Sequence, residues 1–328
     1  MSQYFLGADL GGTKTHIMIA DETGRVIGFG EGGPGNHEGV GYGVVRESLH
    51  QAGRLAFTSA GITPDRVTGA GFGVAGYDWP RQKEPHMNVI NSMNLGGRLE
   101  LVNDTVLGIL AGSPRRWGIA VVSGTGCNCW GWNQSRTRVG HVTGGGVDFG
   151  EFAGASELIF KTKSVLAKAW TQAGPPTALA EAFCRRYNVS SLEELLQGIL
   201  CQDFDLNAAD APLVFEVARA GDPVATDLIR WAGRELADLA CAVIRQLRFE
   251  EEQFDLVQIG SMFDGSPLLT EEMKRVILSH APGANFIRLK VHPVLGAVLL
   301  GMETANHPVK NDVRDTLIQT TPIRQNNR

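Results

Sequence analysis

Apolar and polar positions in the first hundred residues follow the two-residue period of β-strands and then the longer period of helices. Three early strands are separated by short turns, so they must be antiparallel neighbours in one sheet. A helix with one apolar face comes next, and two further strands and a second helix follow it. The predicted strands cover residues 4–9, 14–20, 25–29, 67–72 and 98–103, and the helices lie before Gly61 and after Asp104.

The same order of elements begins again near Trp117. A buried strand, a Gly-Thr-Gly turn and two more strands precede a long helical stretch, after which come a strand and two helices. This repetition predicts an α/β protein with two domains of similar topology that face one cleft, the second with a helical insertion. The predicted domains are residues 1–114 and 115–305, with the insertion at about 153–247, and the polar residues 306–328 are expected to be a flexible tail.

Glycine is concentrated where this pattern places turns. Of the 41 glycines, 32 lie in residues 1–154 and the other 9 in residues 155–328, which indicates tight turns and close backbone approaches in the first stretch. A net charge of −5 without a basic run argues against a nucleic-acid partner. No apolar run approaches the roughly 20 residues of a membrane span. The odd number of cysteines indicates reduced thiols, so we expect a soluble cytoplasmic protein with no membrane partner.

The turn after the first strand, Gly11-Gly12-Thr13-Lys14, nearly matches a P-loop. A P-loop requires lysine before the hydroxyl residue and opens a helix, whereas here Thr13 precedes Lys14 and a strand follows. A turn between two antiparallel strands can instead direct backbone N–H groups and the Thr13 hydroxyl at an anion. Asp9, at the end of the strand, can hold a magnesium ion through water.

A second turn of the same form, Ser123-Gly124-Thr125-Gly126, opens the second copy. Asp104 stands between a predicted strand and a predicted helix, at the edge of the expected cleft. An aspartate in that place is either a helix N-cap or a general base that accepts a hydroxyl proton. Two facing turns with an aspartate near each predict a clamp for phosphate groups.

Other patterns carry less weight. Residues 28–33 and 71–76 both spell G-x-G-x-x-G, but Pro34 follows the first, and no acid ends a strand about 20 residues after the second, which argues against a dinucleotide site. Cys127 and Cys129 lack the partners of a metal site and are expected to pack on one face of a strand. The eight histidines are scattered, and none is at ligand spacing from another.

Taken in order, the motifs resemble those of the sugar kinase/Hsp70/actin superfamily. Residues 9–14 resemble its first phosphate motif, residues 123–126 its second, residues 259–261 its adenosine motif, and residues 71–76 and 295–301 its two connecting motifs. Within the superfamily, the chain is most similar to N-acetylglucosamine kinases and to the BadF/BadG/BcrA/BcrD-type ATPases grouped with them.

The resemblance implies two ribonuclease H-like (actin-like ATPase) domains around a central cleft, and a homodimer. It also implies ATP- and Mg²⁺-dependent phosphorylation of a sugar hydroxyl, most often the 6-hydroxyl of an N-acetylhexosamine such as N-acetylglucosamine. Asp104 would then be the base, and Asp9 would orient the magnesium ion. The residues expected to contact ATP are Gly12, Thr13, Lys14, Gly124, Thr125, Gly260 and Ser261, and those expected to line the sugar site are Asn36, His37, Asn128, Gly144 and Gly145.

One departure from the family pattern concerns the sugar. Relatives carry G-D-E-G-S, whose aspartate grips the sugar, whereas this chain has Asp148-Phe149-Gly150-Glu151. Glu151 is the closest match and Asp148 the second candidate, which leaves the substrate open. An alternative function is an ATPase that activates a redox enzyme and carries an iron–sulfur cluster on cysteines. A third is a sugar sensor without activity, against which the retained Asp104 weighs.

Overall fold

Ten strands form two five-stranded sheets in the structure, a computed structural model that describes residues 2–322. The first sheet contains β1 (Tyr4–Leu10), β2 (Thr15–Asp21), β3 (Val26–Gly32), β4 (Val67–Val74) and β5 (Arg98–Asn103). The second sheet contains β6 (Gly118–Ser123), β7 (Cys127–Trp132), β8 (Val139–His141), β9 (Phe254–Ile259) and β10 (Ala284–Arg288).

Both sheets have the same strand order. The first runs β3-β2-β1-β4-β5 and the second β8-β7-β6-β9-β10. In each sheet the first strand of the copy is central, with an antiparallel hairpin partner on one side and a parallel strand on the other. The duplicated α/β topology that the sequence predicts is therefore confirmed.

The described residues also form twelve α-helices. The first half contributes α1 (His37–Ala60), α2 (Lys83–Asn91) and α3 (Asp104–Gly112). The second half contributes α4 (Ala155–Trp170), α5 (Ala178–Tyr187), α6 (Leu192–Leu200), α7 (Ala211–Arg219), α8 (Pro223–Leu247), α9 (Met262–Gly265), α10 (Pro267–His280), α11 (Val294–Thr304) and α12 (Asn311–Thr320). Single 3₁₀ turns lie at Pro64–Arg66, Pro80–Gln82, Gly146–Phe149 and Ala208–Asp210. Helices α4 to α8 form the predicted insertion and share one core with the second sheet.

Helix α11 crosses back to the first sheet and touches it backbone to backbone. A Cβ atom at Gly7 would lie 2.3 Å from the Val298 nitrogen, and one at Gly71 would lie 2.3 Å from the Ala297 oxygen. On the other side of α11, a Cβ at Gly296 would lie 2.1 Å from the backbone oxygen of Leu107 in α3. Glycine therefore lets β1, β4, α3 and α11 approach more closely than any side chain would allow.

Several elements differ from the sequence prediction, among them β10, α2 and α12. Strand β10 and helix α2 were not predicted, because β10 is a five-residue edge strand and α2 carries Pro85 in its first turn. The expected flexible tail is wrong for residues 311–320, which form α12. Its Val313 and Leu317 are buried against the first sheet. Two buried positions in a polar helix leave too weak a periodicity to be recognised. Residues 323–328, the end of the predicted tail, lie outside the described residues.

The division into residues 1–114 and 115–305 stays a prediction. Helices α11 and α12 follow the second copy in the chain but pack on the first sheet, where Val294 and Leu317 share a core with Phe5 and Met18. Among residues 2–322, no helix is both long enough and apolar enough to cross a lipid bilayer.

We expect Gly296→Ala to lower the free energy of unfolding by about 1–3 kcal/mol, because the new methyl group would overlap the backbone of Leu107. The matched control is Gly43→Ala in α1, where a Cβ would meet no atom within 4 Å. There alanine is expected to raise stability by up to about 1 kcal/mol, since it is the better helix former. Urea unfolding of both variants checks the prediction, and equal effects would contradict the close crossing.

Candidate functional site

The first glycine turn connects β1 to β2 and is closed by its own backbone. The N–H of Gly11 donates to the carbonyl oxygen of Lys14 at 2.9 Å. A Cβ at Gly12 would meet no atom within 4 Å, so Gly12 and Thr13, both exposed, border open space. The Lys14 ammonium donates to Glu31 at 2.9 Å, which holds its charge beside the turn. Small residues, a hydroxyl and a cation together suit an anion.

The second glycine turn follows β6 and is oriented by helix α4. The N–H groups of Ala155 and Ser156, at the start of α4, donate to the carbonyl oxygens of Gly124 and Thr125 at 2.9 Å each. Because the C=O and N–H of a trans peptide point in opposite directions, the N–H groups of Thr125 and Gly126 point away from α4. The turn therefore directs two donors to the side opposite the helix.

Gly260 and Ser261, which follow β9, lie against this second turn. Gly260 has φ +105°, and a Cβ there would lie 2.2 Å from the Ser123 oxygen, so only glycine fits. A cavity of about 260 Å³ opens beside Ser261, between α9 and the insertion. Its lining also includes Met262, Gly265, Phe215 and Arg219. The insertion thus supplies one wall of a partly apolar cavity next to the turn.

Asp9 and Asp104 place two carboxyl groups near each other, at the ends of β1 and β5. Burial, and secondarily the charge of Asp104, raises the pKa of Asp9 to about 8. Burial, and secondarily the charge of Asp78, raises the pKa of Asp104 to about 7. Both groups are thus costly to ionise in the protein alone, and a nearby cation would offset that cost.

Asn103, and not Asp104, is the N-cap residue of α3. Its Oδ1 accepts from the N–H of Thr105 at 2.9 Å, as expected for the residue before the first helical position. Asp104 is the first residue of the helix, and its Oδ1 accepts from the same N–H at 2.9 Å. The positive end of the helix dipole therefore favours the ionised form of Asp104 and partly offsets its burial.

Asp78 is a buried carboxyl that the sequence analysis missed. It follows β4, is only 5% exposed, and its Oδ1 accepts from the side chains of Asn103 at 3.0 Å, Asn128 at 3.2 Å and Trp130 at 3.3 Å. Since Asn103 belongs to the first half and the other two donors to the second, Asp78 joins the halves. Burial raises its pKa. The available signal was an acid shortly after a predicted strand, as at Asp9.

Several residues predicted for the substrate site lie around Asp78. Asn128 bonds to it, and a Cβ at Gly144 would lie 2.7 Å from its carboxyl carbon. Gly145, the next residue, is exposed. Asn36 caps α1, since its Oδ1 accepts from the N–H of Glu38 at 2.9 Å. The loops after β3, β4 and β8 and strand β7 therefore supply one polar region.

His37 turns toward its own half of the molecule. Its ring stacks on Tyr42 at a centroid distance of 4.5 Å and meets His86 edge-on at 4.7 Å. Burial lowers the pKa of His37, so its ring is neutral near pH 7. The charge of Asp78 opposes this lowering of the pKa, so His37 lies beside the polar region, and its ring contacts support the first turn of α1.

Glu151 and Asp148, the two candidates for the family's sugar-binding acid, have different environments. Glu151 is 6% exposed, and its Oε1 accepts from the N–H and the hydroxyl of Thr143 at 2.7 and 2.8 Å. Its Oε2 accepts from the N–H of Gly146 at 3.3 Å, so the carboxylate holds the loop at residues 143–146. Asp148 is exposed on the following 3₁₀ turn. Which acid contacts substrate stays a prediction.

Two histidines that are far apart in the sequence meet beside Asp9. His16 lies opposite Asp9 in the β1–β2 pair, and His292 precedes α11. One potential ligand atom from each of the three residues lies within 4.8 Å of the others. Sequence spacing did not reveal this group, because the fold alone brings His292 to the first sheet.

A family model described as the BadF/BadG/BcrA/BcrD ATPase family matches residues 6–174. An N-acetyl-D-glucosamine kinase of Dictyostelium discoideum is 24% identical over 92% of this chain and 98% of its own. An N-acetylmuramic acid/N-acetylglucosamine kinase of Clostridium acetobutylicum is 25% identical over 91% of this chain and 98% of its own.

Solved structures share the fold. A protein of Chromobacterium violaceum, named as a candidate N-acetylglucosamine kinase, superposes with a TM-score of 0.70 at 21% identity, covering 91% of this chain and 98% of that one. A ROK family glucokinase of Streptomyces griseus, solved with glucose and AMPPNP, superposes with a TM-score of 0.54 at 20% identity, covering 91% of this chain and 98% of that one.

The duplicated sheets around two glycine turns therefore define the actin-like ATPase fold of the sugar kinases, as the sequence motifs predict. Since the family model matches more than half of its residues, the chain belongs to the BadF/BadG/BcrA/BcrD ATPase family.

The raised pKa of Asp9 makes a prediction about stability. Because its pKa is about 8 in the folded protein and 3.8 for an unperturbed carboxyl, wild-type stability should fall as pH rises from about 4 to 8. The Asn side chain stays neutral, so the melting temperature of Asp9→Asn relative to wild type should rise as pH increases across that window. At pH 8 the variant should melt at least about 2 °C higher than wild type. Thermal unfolding without divalent cations or nucleotide measures this. Asp65→Asn, which changes an exposed aspartate, is the control. If Asp9→Asn raised the melting temperature equally at every pH, the raised pKa of Asp9 would be refuted.

Proposed function

We propose that the protein is an ATP-dependent kinase that phosphorylates a hydroxyl of N-acetylglucosamine or a related amino sugar. The observation that carries this proposal is Asp104, a carboxyl with a pKa of about 7 whose charge acts on Asp9, near the end of β1 and the first glycine turn. A general base is most effective when its pKa lies near the working pH. The two similar kinases support the substrate class, because each aligns with more than nine-tenths of this chain.

ATP is proposed to bind on the side of the second sheet. The cavity beside Ser261 suits a purine ring, which needs flat apolar walls such as Met262 and Phe215 and a glycine, Gly265, that allows close approach. The phosphates then extend toward the second turn, where the N–H groups of Thr125 and Gly126 point away from α4. The first turn, with Thr13 and Lys14, is proposed to contact the phosphates from the side opposite the second turn.

The residues present fit a magnesium ion. Asp9 and Asp104 are partly exposed residues whose carboxyl groups have raised pKa values because of lost hydration and, secondarily, charge repulsion, which a hard cation with oxygen ligands relieves. We propose that Asp9 holds Mg²⁺ through water. When bound, the ion neutralises charge on the ATP phosphates during transfer.

In the proposed reaction, Asp104 accepts the proton of the attacking sugar hydroxyl. The hydroxyl oxygen forms a bond to the γ-phosphorus, the bond from that phosphorus to the β–γ bridging oxygen breaks, and ADP leaves. Phosphoryl transfer needs mainly positioning and charge stabilisation from the protein. The 6-hydroxyl is the proposed acceptor, because a primary hydroxyl at the end of the sugar can reach into the space between the turns.

The sugar is proposed to lie in the polar region around Asp78, with Asn36, Asn128, Gly144 and Gly145 at its border. Asn128 and Asp78 are already hydrogen-bonded to each other, so the sugar would meet preorganised groups. His37 is proposed to act through the α1 turn that it supports. Glu151 is proposed to position the loop at residues 143–146, which then contacts the sugar.

The iron–sulfur alternative lacks a supporting observation. Burial raises the pKa of Cys127 to about 12 and that of Cys129 well above its usual value, and both pack against the insertion core. A cluster ligand must be a thiolate, which these environments disfavour. The homodimer and the cytoplasmic location remain predictions from the sequence.

The first test measures ADP release with glucosamine, N-acetylglucosamine, N-acetylmuramic acid and glucose. We expect N-acetylglucosamine or another amino sugar to stimulate ADP release, and Asp104→Asn to lose roughly 10²–10⁴-fold in kcat, because the hydroxyl proton has no acceptor. ATP binding, measured by calorimetry, should be nearly unchanged, and Asp65→Asn should retain wild-type rates. An Asp104→Asn variant with more than half of the activity would falsify the role of Asp104.

A second test separates Glu151 from Asp148. In Glu151→Gln an amide group would replace an acceptor beside the N–H of Gly146, so the loop at residues 143–146 should shift. We expect the KM for sugar to rise about tenfold, which corresponds to 1.4 kcal/mol, while the KM for ATP stays within about twofold. Asp148→Asn, at an exposed position, should change neither constant by more than about twofold. The reverse outcome would assign the sugar contact to Asp148.

A further inference from the structure

Asp9, His16 and His292 form a compact group of potential metal ligands beside the first turn. Asp9 and His16 are directly opposite each other in the antiparallel β1–β2 pair, so their side chains lie on the same face of the sheet. That face is covered by α11, and His292 lies two residues before the first residue of that helix. One potential ligand atom from each residue lies within 4.8 Å of the other two.

His292 carries a buried nitrogen without a partner. Its Nδ1 is shielded from solvent and makes no hydrogen bond among the described residues, whereas buried polar atoms are nearly always bonded. Its ring meets that of His16 edge-on at a centroid distance of 4.5 Å. Two imidazoles packed this closely, with one nitrogen unsatisfied, are explained more simply by a shared ligand than by core packing.

His16 has the second partner that metal-binding histidines usually have. Its Nε2 lies 3.1 Å from Oε2 of Glu31, and because a carboxylate only accepts, this nitrogen carries the proton and Nδ1 keeps the lone pair. The other oxygen of Glu31 is held by Lys14 at 2.9 Å. A carboxylate bonded to the second nitrogen fixes the ring and raises its strength as a ligand.

We propose that Asp9, His16 and His292 bind a divalent first-row transition-metal ion such as Zn²⁺. Two imidazoles and one carboxylate are a usual three-ligand set for such ions, and they leave at least one position for water or a phosphate oxygen. Bonds of roughly 2.1 Å bring tetrahedral ligand atoms to about 3.4 Å from each other, so the group must contract slightly on binding. Mg²⁺ prefers oxygen ligands alone, and the imidazoles therefore select against it.

This site goes beyond the proposed kinase reaction, which uses only Asp9 of the three residues. Asp9 is shared, so a transition metal held by the histidines and Mg²⁺ held through water draw on one carboxylate. The nucleotide-free protein is therefore the state in which the transition metal should bind most tightly. The site gives the two histidines a common role that the nucleotide and sugar do not require, and it gives Glu31 a second role besides holding Lys14.

The test is a calorimetric titration of the nucleotide-free, sugar-free protein with ZnCl₂ in excess Mg²⁺. We expect one Zn²⁺ per chain that is bound at least tenfold more weakly, or not at all, by His292→Ala. His280→Ala, which removes an exposed histidine, is the matched control and should bind like wild type. The chain also has five free cysteines, so only the binding step that His292→Ala removes is assigned to this site.

Glu31→Gln tests the second partner without removing a ligand. We expect a roughly 10–100-fold loss of Zn²⁺ affinity. Because the Glu31 side chain is 47% exposed, the fold should be intact, and circular dichroism checks this. Zn²⁺ binding that is absent in wild type, or equal in wild type, His292→Ala and Glu31→Gln, would overturn the proposal. Since neither ATP nor sugar is present, the result is independent of whether the kinase proposal holds.

Discussion

The contact of helix α11 with strands β1 and β4 is the constraint on which the rest of the molecule depends. Glycine at Gly7 and Gly71 removes the side chains that would separate helix and sheet, and Gly296 does the same toward α3. Dense packing of this kind leaves the helix and the strands little freedom to move relative to each other. It therefore sets where the first residues of α3 and α11 stand with respect to the end of β1, and Asp104 and His292 are placed beside Asp9 as a result.

The region that this packing creates is electrostatically unfavourable in the protein alone. Asp9, Asp104 and Asp78 have each lost much of their hydration, which raises the pKa of each, and the charge of Asp104 acts on Asp9 as that of Asp78 acts on Asp104. Carboxyl groups are seldom removed from water in this way unless a cation or a hydrogen-bond donor accompanies them. A bound cation, or a proton taken from a hydroxyl group, would neutralise these carboxyl groups. The free energy of unfolding that the protein gives up by clustering them therefore reflects how strongly the site favours such ligands.

Much of the fold was predictable because its signals are local. Turns such as Gly124-Thr125-Gly126 and the change from strand to helix period can be read directly, and their repetition predicts the duplicated topology. The prediction that Asp9 and Asp104 lie at the cleft followed from their positions at the ends of predicted strands. Asp78 was missed because one acid after a strand reads as a turn residue, and its three hydrogen bonds depend on both halves. The pairing of His16 with His292 depends on the register of β1 with β2 and on the crossing of α11, neither of which is a local property.

The return of α11 and α12 to the first sheet also affects the order in which the protein can be built during synthesis. Among the described residues, Phe5 and Met18 lie on a sheet face that is covered by the C-terminal part of the chain, from Val291 to Ile318. When the first half leaves the ribosome, that face has no partner in the chain made so far, and an uncovered apolar sheet is prone to aggregate. The first half thus cannot complete its core until nearly the whole chain has been translated, so the nascent chain exposes this apolar face until α11 and α12 have been made.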